Sequence, residues 1–338
     1  GLILRTPLLP SGKDYSIDLI VSFFKSPEGQ ECLYLASGDL LMIFNKETED
    51  GKEPSQRLKE TLYKYYARLT NRTTPFGTFA TLSRVNWGTE TNIRIPYGYK
   101  NISKRTKLDS TIITSLLDRL KRLDSYKNRV VVKPNTSLYQ AGSELRYIQY
   151  STDKSGSRSH RLSASSAEDA LLAVVEYAQS GIQLSEITKA FIKQGFPEDM
   201  AREYVHNLLD EQILISTDEL TTFGEDRFNK VVSELRKNGG LQSPVNQNEI
   251  DIINDICTST SDLGKEAATE IGNYLKIEKL IKTILEDKSF RTFFQVDSYK
   301  KLEDNLLEKN IKGRIEKAIP IINKVSYNAE YERLDSFK

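Results

Sequence analysis

Apolar and polar positions along this chain switch repeatedly between the two periods that mark helices and strands. Over Gln56–Thr70 the apolar residues Leu58, Leu62, Tyr65 and Leu69 recur at helical spacing, which predicts a helix with one face in a core. Around it, Leu33 to Phe44 reads as a strand followed by a helical or loop stretch. Phe76–Val85 and Asn92–Ile95 read as strands, Ser110–Leu123 as a helix, and Val130–Val132 as the opening of another strand. Ser137–Gln140 and Leu145–Ser151 then form a hairpin pattern about Gly142-Ser143, and a third strand over Arg158–Leu162 follows the turn Asp153-Lys154-Ser155-Gly156. Helical patterns come next over Ala167–Gln179, Leu184–Gln194 and Glu198–Gln212, punctuated by Gly181, Gly195 and Pro197, before Ile213–Ile215 closes the segment. Three short strands with three short helices is a winged-helix composition.

From Thr221 onward the pattern is mostly helical. It breaks at Gly239-Gly240 and Ser243-Pro244, runs amphipathically over Glu266–Leu285, turns β-like over Arg291–Val296 and ends in a helix from about Lys312 to Val325 containing Pro320. The fold class expected is α+β, with mixed sheets and helices, an inserted winged-helix unit and a helical C-terminal part. The expected divisions are 1–133, 134–217 and 218–338. There is no internal repeat and no low-complexity tract.

At 338 residues the chain is long enough for two or three domains. Its apolar runs are far shorter than the roughly 20 residues that span a bilayer, and nothing near Gly1 reads as a secretory signal. Cys32 and Cys257 stand far apart with no pairing pattern, and only His160 and His206 could offer imidazole. No zinc site, disulfide framework or obvious Ser/His triad is therefore expected, and a soluble cytoplasmic protein is. Gly1 is no initiator Met and the chain stops directly after a helical pattern, which suggests an excised piece. Charge changes the picture most. The net charge is only +1, yet Lys52 to Lys133 holds 18 Lys+Arg against 6 Asp+Glu. Such a basic block attracts polyanions, except where its charges pair with the acidic remainder.

Within that block Lys64, Arg68 and Arg72 are spaced four apart on the helical pattern, making one cationic stripe opposite the apolar face. Like charges at this spacing repel by about 0.2–0.5 kcal/mol per pair, which a phosphate or carboxylate partner would offset. A solvated helix face is the plain alternative. Pro75 is expected to end the helix in the run Thr74-Pro75-Phe76-Gly77.

Arg5-Thr6-Pro7, Glu31 to Ser37 (Glu-Cys-Leu-Tyr-Leu-Ala-Ser) and Arg68…Arg72-x-Thr74-Pro75-Phe76-Gly77 resemble the N-terminal glutamylation domain of class I lanthipeptide (lantibiotic) dehydratases. So do Lys107-Leu108-Asp109, Asn135-Thr136-Ser137-Leu138-Tyr139 with Arg146-Tyr147-Ile148, and Phe294-Gln295-Val296-Asp297, in the family's order along nearly the whole chain. Thr73 and Gly38 depart from the family, which usually or often has Pro there, and neither removes a functional group. The resemblance implies transfer of glutamate from glutamyl-tRNA to Ser or Thr hydroxyls of a precursor peptide, before a separate domain eliminates it to leave dehydroamino acids. By matching motif, the implied catalytic residues are Arg68, Arg72, Thr74, Asp109 and Asp297. Arg5 and Lys64, joined by Lys104, Arg105 and Lys107 of the basic block, are the anion-binding candidates for tRNA. Arginine's planar fork suits phosphate and carboxylate alike. Asp109 could equally be a helix N-cap, Thr74 a turn-shaper, Asp297 a structural partner of a lysine, and Arg5 an anchor for the first strand.

The winged-helix segment has two uses open to it. Its third helix carries Glu198, Asp199, Glu203, Asp210 and Glu211 against Arg202 alone, so phosphates would be repelled and DNA is not expected as a partner. The same fold can add a peptide strand beside its third strand, and the resemblance implies this use for the precursor's leader. The peptide would lie along Ser157–Leu162, with Arg158, His160 and Leu162 on the strand and Ala201 and Tyr204 on the helix; Val205 and Leu208 read rather as core. The implied partners are glutamyl-tRNA as co-substrate, the leader, the remainder of the glutamylation domain and an elimination domain; a homodimer is left open. No cofactor or metal is expected. Since the family's glutamylation domain is longer than this chain, the chain alone is expected to be inactive. Two rivals remain, an aminoacyl-tRNA-dependent peptide ligase of the same fold and a non-catalytic peptide-binding module.

Overall fold

Residues 2–12, 15–74, 76–99, 101–218, 227–237, 244–263, 270–286 and 288–326 are described by the computed structural model. The expected breaks at Pro75, at Gly239-Gly240 and at Ser243, and the start of the run at Glu266, lie outside them. The chain forms two compact units. One is built from the segment up to Arg105 and again from Val296; the other comprises Thr106–Leu263 and Glu270–Gln295.

The first unit opens with strand β1 (Leu2–Pro7) and helices α1 (Ile17–Lys25), α2 (Pro27–Ala36) and α3 (Gly38–Glu47). The strand expected from Leu33 is thus helix. The hydroxyl of Ser26 caps α2 by accepting from the Gly29 N–H at 3.1 Å, and that of Ser37 caps α3 by accepting from Leu40 N–H at 3.2 Å. A short apolar run such as Cys32 to Leu35 carries no period that separates a buried helix from a strand, and the caps decide. Gly29 is obligatory, since a Cβ there would stand 2.1 Å from the Phe23 carbonyl oxygen, where α1 and α2 cross closely. Helix α4 (Gln56–Asn71) is the predicted one, capped by Ser55. It buries Leu58, Leu62, Tyr66 and Leu69, so Tyr66 takes the core place assigned to Tyr65, which is half-buried with its ring 5.9 Å from Phe79. Strands β2 (Ala80–Gly88), β3 (Asn92–Arg94) and β4 (Ile102–Leu108) follow.

The second unit begins with α5 (Ser110–Leu120), α6 (Asp124–Lys127) and β5 (Val131–Pro134). An antiparallel meander of β6 (Tyr139–Ala141), β7 (Glu144–Thr152) and β8 (Arg158–Ser166) comes next, turning at Gly142, which sits at φ +63° where glycine is favoured. Then come α7 (Asp169–Tyr177), β9 (Ile182–Gln183), α8 (Leu184–Lys193), α9 (Glu198–Asp210) and β10 (Leu214–Ser216). Strands β10, β5 and β9 form a small antiparallel sheet. Leu145, Tyr147, Leu171, Val174, Ile187, Phe191, Ala201, Val205 and Leu208 are buried. The expected three strands and three helices are all present within a residue or four of their expected bounds. Helices α10 (Arg227–Lys237), α11 (Pro244–Asp262) and α12 (Ile271–Ile284) complete the unit.

The chain then returns to the first sheet through β11 (Phe294–Lys300), later than the stretch expected from Arg291, and through β12 (Asp304–Glu308), which the polar sequence Asp-Asn-Leu-Leu-Glu concealed. Helix α13 (Lys309–Val325) starts three residues before its expected place and carries Pro320 in its interior. The sheet runs β3-β12-β2-β11-β4, with β1 antiparallel against β2 and both β11 and β12 parallel to β2. With a mixed sheet in the first unit, antiparallel sheets in the second and helices in both, the fold is α+β.

Lys104 of β4 and Glu31 of α2 form an ion pair at 2.7 Å with both side chains fully buried. Removing one charge strands the other in a low-dielectric interior. Glu31→Gln or Lys104→Met alone should therefore cost about 3–5 kcal/mol in urea unfolding, whereas the double change Glu31→Leu with Lys104→Met should stay near the parent. Single variants costing under about 1 kcal/mol would refute a dry pair.

Candidate anion-binding site

The last turns of α4 and the loop after it form the site. Lys64 and Arg72 are exposed and Arg68 is half-buried, and none of the three makes an ion pair among the described residues. All three line an open cleft of about 510 Å3, together with Tyr63, Tyr65, Asn71 and Phe76. The stripe therefore faces a cavity and is not consumed internally. The Arg68 guanidinium carbon stands 4.1 Å above the Phe76 ring, and Phe76 meets Phe79 edge-on at 5.5 Å. This stacking uses the flat face of the guanidinium and none of its in-plane donors. Its Nε is buried without a hydrogen-bond partner, an unmet donor beside the cleft. Thr74 is exposed in the same loop.

The sheet carries the other candidates. Register pairs Arg5 with Leu82 and Ile3 with Arg84, so Arg5 and Arg84 share a face of the sheet and both are exposed. Tyr299 of β11 is also level with Leu82, and two residues earlier on these parallel strands Asp297 stands level with Ala80, which pairs with Pro7. Asp297 is half-buried and makes no ion pair among the described residues, so the structural lysine partner considered for it is not found. On β4 the exposed Arg105 alternates with buried Lys104 and Thr106, and the half-buried Lys107 lies two residues further along. Helix and sheet are tied at one point: Leu8 N–H donates to the Phe79 carbonyl and Leu9 N–H to the Leu69 carbonyl, each at 3.0 Å. These bonds tie the exit of β1 to the end of α4 and to the start of β2, with Arg68 beside Leu69 in sequence and Asp297 level with Ala80.

Among the catalytic and anion-binding candidates one is removed, one gains a structural role and one is added. Lys104 lies on the buried side of β4 and is spent on Glu31, so it leaves the anion-binding set. Asp109 accepts from the Thr111 N–H at 2.9 Å and the Thr111 hydroxyl at 2.6 Å, which makes it the N-cap of α5. Arg84 is the cation that sequence reading missed. Its signal was the alternation Leu82, Arg84, Asn86 against buried Thr81, Ser83 and Val85.

The peptide candidates lie in the second unit. Strand β8 pairs only with β7, so its other edge is free among the described residues. The Tyr150 backbone turns away from β8, its N–H donating to the Gln212 side-chain oxygen at 2.9 Å and its carbonyl accepting from the Gln212 amide at 2.8 Å. Tyr150 is paired with His160, so His160 and, two residues on, Leu162 direct their backbone groups to the free edge. Leu162 is 58% exposed, His160 is exposed, and the Arg158 guanidinium carbon lies 3.9 Å over the Tyr150 ring. Ala201 is a correction: at 2% exposure it is core, as are Val205 and Leu208, because that face of α9 turns inward. Tyr204 is half-buried against Phe191, its ring 5.3 Å away, and burial raises its pKa. The run from Asn135 to Tyr139 is structural: Asn135 donates to the Ile148 carbonyl at 3.0 Å and the Gln212 carbonyl at 2.9 Å, while Ser137 accepts from Ile148 N–H at 2.8 Å.

No cluster of three or more metal-binding side chains occurs among the described residues. Cys32 is no nucleophile either, because burial pushes its thiol up to about 12 despite contacts with Thr78 and Tyr99. No helix among the described residues is long and apolar enough to cross a membrane.

Residues 25–338 match the family described as "Lantibiotic dehydratase, N terminus". The chain is 22% identical over 341 residues to the epidermin biosynthesis protein EpiB of Staphylococcus epidermidis, an alignment covering 96% of this chain and 33% of EpiB. Its fold is similar to that of the tRNA-dependent lantibiotic dehydratase MibB from Microbispora sp. 107891, with a TM-score of 0.76, 17% identity, and coverage of 94% of this chain and 30% of MibB. The glutamylation domain TbtB of thiomuracin biosynthesis, solved bound to 5'-phosphodesmethylglutamycin, gives a TM-score of 0.64 at 12% identity over 90% of this chain and 36% of its own. The chain thus spans about a third of the length of these proteins.

If Asp109 acts as the α5 cap, Asp109→Ala should cost about 1 kcal/mol in thermal or urea unfolding, and Asp109→Ser should restore most of it. Equal stability for the two variants would remove the capping role.

Proposed function

Because the chain belongs to the lantibiotic dehydratases, whose N-terminal part it matches, we propose that it contributes to transfer of glutamate from glutamyl-tRNA to Ser and Thr hydroxyls of a precursor peptide. The observation that carries this reading is the trio Lys64, Arg68 and Arg72, without ion-pair partners among the described residues and gathered on one cleft. Lys64 and Arg68, four apart on α4, with Arg72 at its C-cap, concentrate positive charge whose repulsion a polyanion offsets.

In the transfer, the hydroxyl oxygen of the peptide attacks the carbonyl carbon of the glutamyl ester. The bond from that carbon to the ribose oxygen of the tRNA end breaks, and the ribose oxygen takes up a proton. Negative charge develops on the carbonyl oxygen in between. Arg68 and Arg72 supply in-plane donors for that charge and for the tRNA phosphates, with Thr74 as a neutral donor beside them. Arg5 and Arg84 extend the positive field along the sheet face. Asp297 is the carboxylate available there to accept the hydroxyl proton. Transfer draws on residues beyond the third of the relatives' length that this chain spans, so the chain alone is expected to leave a Ser/Thr-rich peptide unmodified.

The free edge of β8 supports leader binding by strand addition, with main-chain bonds from His160 and Leu162 giving affinity. A DNA role for α9 has little support, since Arg202, its one cation besides the histidine, is paired with Glu198.

In the full-length dehydratase, Arg68→Ala and Arg72→Ala should each cut glutamyl adducts on the precursor at least tenfold, read by mass spectrometry, with leader affinity unchanged. Each should also flatten the dependence of glutamyl-tRNA affinity on salt by roughly 0.7–0.9 in log–log slope. Unchanged adduct formation would reduce the stripe to a solvated face, and an amino acid added at the peptide C-terminus would favour the ligase reading. Leu162→Pro removes one edge donor without taking a β7–β8 bond, so leader affinity should fall at least tenfold while thermal stability holds. Retained affinity would move the leader elsewhere.

A further inference from the structure

The second unit holds a cleft of about 550 Å3 that the glutamylation reading does not use. It is bounded by the end of α5, by α6, by Tyr150 and Thr152 of β7, by the end of α9 and β10, and by the residues closing α12. Its carboxylates are already satisfied. Asp118 accepts from the Tyr150 and Thr152 hydroxyls, each at 3.3 Å, and has Lys121 at 3.5 Å; Asp210 accepts from Lys127 at 2.7 Å. Arg119 is likewise committed, donating through Nε to Glu249 at 3.1 Å.

Two cations remain over. Arg122 is exposed and makes neither an ion pair nor a side-chain hydrogen bond among the described residues. Lys288 donates to the carbonyls of Asp153 at 2.8 Å and Thr152 at 3.4 Å, which orient the ammonium without cancelling its charge. The Asp153 carboxylate nearby accepts from Ser155 and Ser157 and offsets part of the Lys288 charge at a separation beyond an ion pair. The cleft therefore presents two cations outside any salt bridge among the described residues, Arg122 on the turn after α5 and Lys288 on the segment after α12.

We propose that this cleft binds a phosphomonoester. Such a group carries between one and a half and two negative charges near neutrality and several acceptor oxygens, enough to meet both cations at once. The volume exceeds that of a bare phosphate and falls in the range of small-molecule sites, which leaves room for a nucleoside-sized body attached to the phosphate. Two sources share this chemistry, a free mononucleotide and the 5'-terminal phosphate of an RNA. The proposal stands apart from the role given to α4, because its residues belong to the other unit.

Titration calorimetry of the whole chain with AMP and with adenosine reads the site directly. AMP should bind and adenosine should not, and Arg122→Gln with Lys288→Gln should weaken AMP at least tenfold. Arg122→Gln alone, at an exposed position, should weaken it several-fold and keeps the test valid if the double variant unfolds. A second arm compares a hairpin RNA bearing a 5'-phosphate with the same RNA bearing a 5'-hydroxyl. A preference for the phosphorylated end that the double variant abolishes identifies the RNA terminus as the source, and AMP binding without that preference identifies a free nucleotide. No binding of either phosphate ligand, equal binding of adenosine, or affinity unchanged in the variants would overturn the proposal.

Discussion

The carbonyl and amide of Leu8 are the point on which the first unit turns. Its N–H holds the Phe79 carbonyl, its neighbour Leu9 holds Leu69 at the end of α4, and its own carbonyl accepts from the Lys300 ammonium at 3.5 Å. The same ammonium, almost wholly buried, also donates to Gly98 at 2.6 Å and Pro96 at 3.2 Å. One lysine thus ties the exit of β1, the loop before β4 and the end of β11 by carbonyl dipoles alone. Burial lowers its pKa, and the three oxygens supply the solvation that water no longer gives. Arg5, Arg68 and Asp297 are held on separate elements, and this junction fixes those elements to one another.

Charge in this protein is sorted by face. Lys104, Arg105 and Lys107 are close neighbours in sequence, yet the pleat buries the first against Glu31 and leaves the second exposed. On α4 the same sorting follows the helical period, with Leu62, Tyr66 and Leu69 inward and Lys64 and Arg68 on the cleft, which Arg72 joins from the C-cap. A count of basic residues overstates the available cation surface, and periodicity corrects it only where apolar residues mark the period.

That condition explains what could be read from the chain beforehand. Helix α4 and the hairpin about Gly142 were legible because apolar spacing and a turn residue agreed. The face of Lys104 was not, because Ser103-Lys104-Arg105-Thr106 contains no apolar residue to reveal its inner side, and the partner Glu31 lies 73 positions away. Helix α2 was misread for the complementary reason: Cys32, Leu33, Tyr34 and Leu35 are apolar throughout, so neither period stands out. The family motifs named functional candidates without distinguishing chemistry from architecture. Asn135 and Ser137 spend their side chains closing the edge of β7, and Asp109 commits one carboxylate oxygen, Oδ1, to Thr111.

The polar groups that remain unsatisfied are therefore the informative ones. A buried donor without a partner costs about 1–3 kcal/mol, so Arg68 Nε beside the α4 cleft is a cost the free protein bears and a ligand can relieve. Arg122 in the other unit bears no such desolvation cost, being exposed, but its charge is likewise unspent. Phe76 shows how the first cost is contained. The ring under the guanidinium replaces solvent on one face, keeps the side chain in one orientation, and reduces the entropy lost when an anion arrives. An alanine at that position would leave the charge in place and remove its preorganisation, so the ring is as much a part of the anion site as the guanidinium it supports.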